Sequence, residues 1–144
     1  MALFAPDRRR LTIASLLMLF GALLHTIGNL ASPPDLGLIE LRTAMQNYHL
    51  ELGLGMSPSL WDIQRTLVYT MSICVAAIAW LGFAVAGSAE ATPRLIVSVS
   101  RIGLVVSGAL TALCFYYRVP PPLITFAVIT IGYAFAAIQR PRVS

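Results

Sequence analysis

His25 and Asn29 sit one helical turn apart inside the apolar run Leu11 to Ala31, with Gly21 a turn earlier, so the three share one helix face. A strongly polar or ionisable side chain in such a run is costly unless it has a partner or a task. An imidazole can act there as acid, base or orienting donor. Further along, Asp62, Arg65, Tyr69 and Ser72 recur at three- and four-residue steps on one side of the next apolar segment. Between the two lies a polar cluster, Tyr48, His49 and Glu51. The chemical reading is a small polar pocket. His25 is its acid/base group and Asp62 its electrostatic partner, while Asn29, Tyr48, His49, Arg65, Tyr69 and Ser72 contact a ligand.

Each of these residues also has a structural reading. His25 and Asn29 can bond to another helix as packing glue, at about 0.6 kcal/mol per contact in membrane bundles. Tyr48, His49 and Glu51 can form the polar end of an interfacial helix. Ser59 with Asp62 three residues on resembles a capping box, which satisfies amides at a helix start. Both readings stay open on sequence alone.

Other chemistries find less support. A haem would need His25 and His49 as axial ligands. Zinc would need His25, His49, Glu51 and Asp62, which have no ligand spacing. The reading therefore assigns no metal and no cofactor. Cys74 and Cys114 lie in apolar segments without CxxC spacing and read as buried, inert thiols. Arg101 lies seven residues beyond Arg94, on nearly the same face, and can snorkel to an interface or pair with an anionic headgroup. Gly103, Ser107 and Thr111 form a small-residue stripe suited to close helix packing, within the chain or in a homo-oligomer.

The elements that must position these residues follow from hydropathy. The chain is 58% hydrophobic and only 11% charged, with a mean hydropathy of +0.79. That is too apolar for a soluble domain. Four runs predict membrane-spanning helices over about 11–31, 62–87, 95–117 and 121–138, each near the roughly 20 residues a bilayer core requires. The expected fold is therefore an all-α, four-helix transmembrane bundle forming one domain. The first run is longer than a signal-peptide core and reads as a retained span. Triple proline, Pro120-Pro121-Pro122, closes the third run, and some of these prolines supply the first turn of the fourth.

All ten basic residues are arginine and cluster at the ends of the runs. Arg8, Arg9, Arg10, Arg94, Arg101, Arg140 and Arg142 fall on one side, against Arg42, Arg65 and Arg118 on the other. The positive-inside rule then places both termini in the cytoplasm. The same scatter argues against nucleic acid as a partner, because no contiguous basic surface forms. Membrane lipids are the expected partner.

The connection, 32–60, is not a plain linker. Leu38, Leu41, Met45, Tyr48 and Leu52 recur with a helical period, which predicts a short amphipathic helix on the extracytoplasmic side. Pro33-Pro34 would start it and Gly53-Leu54-Gly55 would end it. His25, roughly 9 Å from the outer end of its span at helical rise, lies at the level this helix could cover.

Gly21-Ala22-Leu23-Leu24-His25, Asn29, Pro33-Pro34, Met45 and Ser59-Leu60-Trp61-Asp62 together resemble a group of uncharacterised small bacterial four-span proteins. The likeness covers about the first half of the chain and implies a bacterial inner (plasma) membrane location without assigning a reaction. In layout alone the chain is similar to the EXPERA group of emopamil-binding and sigma-2-like proteins, which bind sterol-like molecules. That group uses intramembrane acids where this chain has His25. The functional expectation is binding of, or action on, a small lipophilic molecule in an outward-facing pocket around His25 and Asp62. The rival is an accessory or scaffold subunit of a membrane complex or homo-oligomer.

Overall fold

The computed structural model describes residues 6–30, 36–53 and 55–138. They form five helices: α1 (Pro6–Leu30), α2 (Leu36–Asn47), α3 (Leu60–Gly87), α4 (Pro93–Tyr116) and α5 (Pro120–Ala137). Among the described residues there is no β-strand. The helices α1, α3, α4 and α5 are each long and apolar enough to cross a membrane.

Local signals account for the boundaries. Pro6 and Asp7 open α1, a proline and an acid where the free amides and the positive dipole end favour them. Ser59 and Asp62 form the full capping box of α3, so this helix begins at Leu60 as the spacing suggested. Thr92 caps α4, accepting from the amide of Leu95 at 3.3 Å, and Pro93 follows at its first turn. The three prolines form the first turn of α5, where their missing amide hydrogens cost nothing.

α4 stops abruptly. The amide of Val119 donates back to the carbonyl of Cys114 at 3.0 Å, across Arg118 at φ 55°. This is a Schellman-type stop closed by a non-glycine residue in the left-handed region. It turns the chain straight into α5.

α2 departs from expectation at its end. The helical period runs on through Tyr48 and Leu52, but the helix stops at Asn47. The carbonyl of Tyr48 instead accepts from Leu60 at 2.8 Å, and the amide of Leu50 donates to Pro58 at 3.0 Å. Gly53 and Gly55, at φ 81° and 74°, turn the chain at the tip. Backbone pairing across this loop competes with a further helical turn and prevails. The proposed start at Pro33-Pro34 lies outside the described residues.

Within the bundle, α1 packs between α3 and α5, and α4 packs mainly on α5. The close crossings are made where one helix has no side chain. A β-carbon on Gly82 would strike Ser15 Oγ, one on Gly103 would enter the Tyr133 ring, and one on Gly21 would lie 2.8 Å from Ile129 Cδ1. Small residues at crossings are the usual device where lipid removes the hydrophobic drive between helices. At the centre, Tyr133 is fully buried, its hydroxyl 3.5 Å from both Ser15 Oγ and Met18 Sδ. Thr111 and Thr130 hydroxyls, 3.1 Å apart, join α4 to α5.

Outside, the helices carry Phe20, Ile73, Trp80, Val105 and Phe135, all more than half exposed. Soluble monomers do not present apolar surface on this scale.

At one end, Arg8 of α1 closes over the end of α3. Its guanidinium donates to the carbonyls of Ala86 (3.3 Å), Ser88, Ala89 (3.3 Å) and Ala91 (3.1 Å). Carbonyls left unpaired at a helix C-terminus are thereby satisfied, and a cation meets the negative dipole end. α2 and residues 48–53 and 55–59 after it lie at the opposite end, where α1 finishes and α3 and α5 begin.

Candidate functional site

His25 occupies a crevice between α1 and α5. Gly21 brings these helices into contact, with Thr125 Cγ2 only 3.1 Å from where its β-carbon would be. One turn on, the helices separate. The first turn of α5 is made of rigid proline rings, and Gly28 on α1 adds no side chain to fill the gap. The result is a cavity of about 520 Å³ lined by Leu24, His25, Asn29, Val119, Pro121, Pro122, Thr125 and Phe126, with Gly21 and Gly28. Its size lies within the range of small-molecule sites, and its wall is apolar with a few polar groups, as such sites are. The turn at Arg118 is what presents Val119 and Pro121 to α1.

His25 and Asn29 are coupled. Asn29 Nδ2 donates to the carbonyl oxygen of His25 at 2.7 Å and lies 3.4 Å from its Nε2. The first bond identifies this end of the amide as the NH2 group, since a carbonyl can only accept. An Nε2 that accepts the second amide hydrogen leaves the ring proton on Nδ1. His25 is half-buried at the crevice wall.

Asp62 is not in this crevice. Its Oδ2 accepts from the Ser59 hydroxyl at 2.6 Å and the Ser59 amide at 3.3 Å, while its own amide donates to Ser59 Oγ at 3.2 Å. Of the two readings of Asp62, the structure shows the helix cap.

Arg65 and Tyr69, a turn apart on α3, are joined by a bond of 3.0 Å from Arg65 Nη2 to the Tyr69 hydroxyl, and the guanidinium stacks 5.5 Å from the ring centroid. Arg42 of α2 stacks on Trp61 at 5.1 Å. With Asn29, Leu30, Gln64 and Val68 these four line a second cavity of about 210 Å³. Ser72 lies deeper on α3, buried, its hydroxyl donating to the Val68 carbonyl at 3.2 Å. Tyr48 and His49 are exposed in the loop beyond α2, where His49 forms an isolated backbone bridge with Ser59.

Thus the structure divides the expected pocket in two. Asn29 lines both cavities; His25 lines the first, and Arg65 and Tyr69 line the second. Among the described residues, no three His, Cys, Asp or Glu side chains come together to hold a metal ion. Cys74 and Cys114 are free thiols, and Cys74 is exposed rather than buried.

Two partners escaped the sequence reading. The α5 wall, Val119 to Phe126, looked like generic apolar helix, although a triple proline opposite a glycine is a signal for poor interdigitation. Arg42 counts in the sequence only as a topology signal, because its stacking on Trp61 depends on where α2 docks on α3, whereas Arg65 and Tyr69, four residues apart on α3, already share a face in the sequence. No protein-family model matches the chain, no curated protein matches it in sequence, and no solved structure matches it.

Proposed function

We propose that this chain is a multi-pass protein of the bacterial plasma membrane, both termini cytoplasmic, that binds or acts on a small lipophilic molecule. Isoprenoids, sterols, quinones and fatty-acid derivatives fit the chemistry. The crevice between α1 and α5 is the site, and the observation that carries the reading is its combination of size, apolar wall and one coupled polar pair, His25 and Asn29. The imidazole N–H supplies the hydrogen bond that orients an oxygen of the ligand, and the ring is the acid/base group if a proton moves. The excess of arginines at the end where α1 begins supports the orientation, which makes the crevice outward-facing.

Mass spectrometry of small molecules that co-purify in mild detergent tests this. The native chain is expected to retain one class of compound. His25→Ala should lose it, and Gly28→Phe should also lose it, since a side chain at position 28 projects into open space. Retention unaffected by both substitutions would overturn the reading. A native chain that retains no small molecule favours the accessory-subunit role instead.

A further inference from the structure

We propose that a second, independent site lies between α1 and α3, and that it holds an anionic phospholipid by its phosphate and one acyl chain. The headgroup end is the 210 Å³ cavity under Arg42 and Arg65. Both guanidiniums are held against aromatic rings, and Arg65 is also bonded to Tyr69, so the positive charge is fixed before a ligand arrives. Among the described residues no acid lines the cavity, and the nearest α3 carboxylate, Asp62, is engaged by Ser59. Two preset guanidiniums with the Gln64 side-chain amide beside them match a phosphate in charge and in donor geometry.

The tail end continues directly below. Tyr69 is shared with a groove of about 420 Å³ whose other walls include Leu19, Leu23, Thr26, Ile73 and Ala76. Successive turns of α1 and α3 leave the headgroup cavity and enter the groove. From Arg65 to Ala76 the helix rises about 16 Å, close to half of a bilayer core of roughly 30 Å. Leu23 and Ile73 are more than half exposed, so the groove opens sideways to the bundle surface, where a lipid enters. Charge above and an apolar channel of one leaflet's depth below are the two halves of a phospholipid. This site shares only Asn29 with the His25 crevice.

The test is native mass spectrometry of the protein released from nanodiscs of equal phosphatidylglycerol and phosphatidylcholine. The native chain is expected to retain phosphatidylglycerol in preference. Arg42→Gln with Arg65→Gln should reduce that preference by about twenty-fivefold, a factor of about five for each basic side chain near an anionic lipid. Ala76→Phe, which fills the groove, should lower retention of the same lipid. His25→Ala should leave it unchanged, which separates this site from the proposed crevice. Equal retention of the two lipids by the native chain, or no effect of the arginine pair, overturns the proposal. Displacement of phosphatidylglycerol by millimolar inorganic phosphate would show a free-oxyanion site and overturn the lipid assignment. Should Ala76→Phe fail to fold, the arginine substitutions, on exposed side chains, still decide.

Discussion

The ring of Tyr133 rests on the backbone of Gly103, so close that a β-carbon at position 103 would strike its Cε1. This contact sets the spacing of α4 and α5 at mid-bundle and holds the Tyr133 hydroxyl toward Ser15. Gly103→Ala is therefore expected to destabilise by about 1–3 kcal/mol, the usual cost of overpacking. Gly108 is the control, on the same helix with its nearest neighbour 4.0 Å from a built β-carbon. Gly108→Ala should be neutral or stabilise by up to about 1 kcal/mol, because alanine is the better helix former. Denaturant titration in detergent reads both, and equal effects would mean that the close contact is absent.

Arg8 differs from Arg9 and Arg10 although the three are adjacent. Only Arg8 is described as reaching the carbonyls of Ala86, Ser88, Ala89 and Ala91, while its neighbours are exposed. Arg8→Gln should cost about 1–2 kcal/mol, the lower part of the range for charged hydrogen bonds because the site is partly solvated. Arg9→Gln and Arg10→Gln should leave stability within about 0.5 kcal/mol, as surface changes do. Thermal unfolding of the three variants in one detergent checks the ranking. If all three behave alike, Arg8 is a topology signal and not a cap.

The contrast between what was legible in the sequence and what was not follows the range of the interactions. Ser59 with Asp62, and the prolines opening α5, act within one turn, so their residues suffice to read them. The spans were legible because hydropathy and length are properties of a single segment. The choice of neighbours was not. On α1 the buried set Leu11, Ala14, Ser15, Met18, Gly21 and Ala22 is less apolar than the exposed Leu16, Phe20 and Leu23, since lipid demands apolar side chains as much as the core does. Small residues mark the inner face better than hydrophobicity does. The end of α2 was misread for a related reason: Tyr48 keeps the period, but a tertiary backbone bond to Leu60 ends the helix.

His25 carries a prediction about its proton. The Asn29 amide beside Nε2 favours the Nδ1–H form as the native tautomer. Nitrogen NMR of labelled protein distinguishes the two neutral forms by which ring nitrogen bears hydrogen. The native chain should show Nδ1–H, and Asn29→Leu should shift the population toward Nε2–H. A native Nε2–H signal would mean that the ring faces the crevice with its other nitrogen, and the donor proposed for the ligand would have to be reassigned.

Asp62 is where capping and catalysis part company. As a cap its carboxylate satisfies the Ser59 amide and hydroxyl, groups on which the first turn of α3 depends. As an electrostatic partner of His25 it would have to act from outside the crevice, since it does not line it. Asp62→Ala should therefore lower stability by about 0.5–2 kcal/mol, with Ser59→Ala comparable, while the co-purifying compound stays bound. Asp62→Asn, which keeps an acceptor oxygen, should cost less. The informative failure is the reverse pattern: unchanged stability with loss of the bound compound would put Asp62 back beside His25. The geometry argues against that result, because the two Ser59 bonds hold the carboxylate at the start of α3 and Asp62 does not line the crevice.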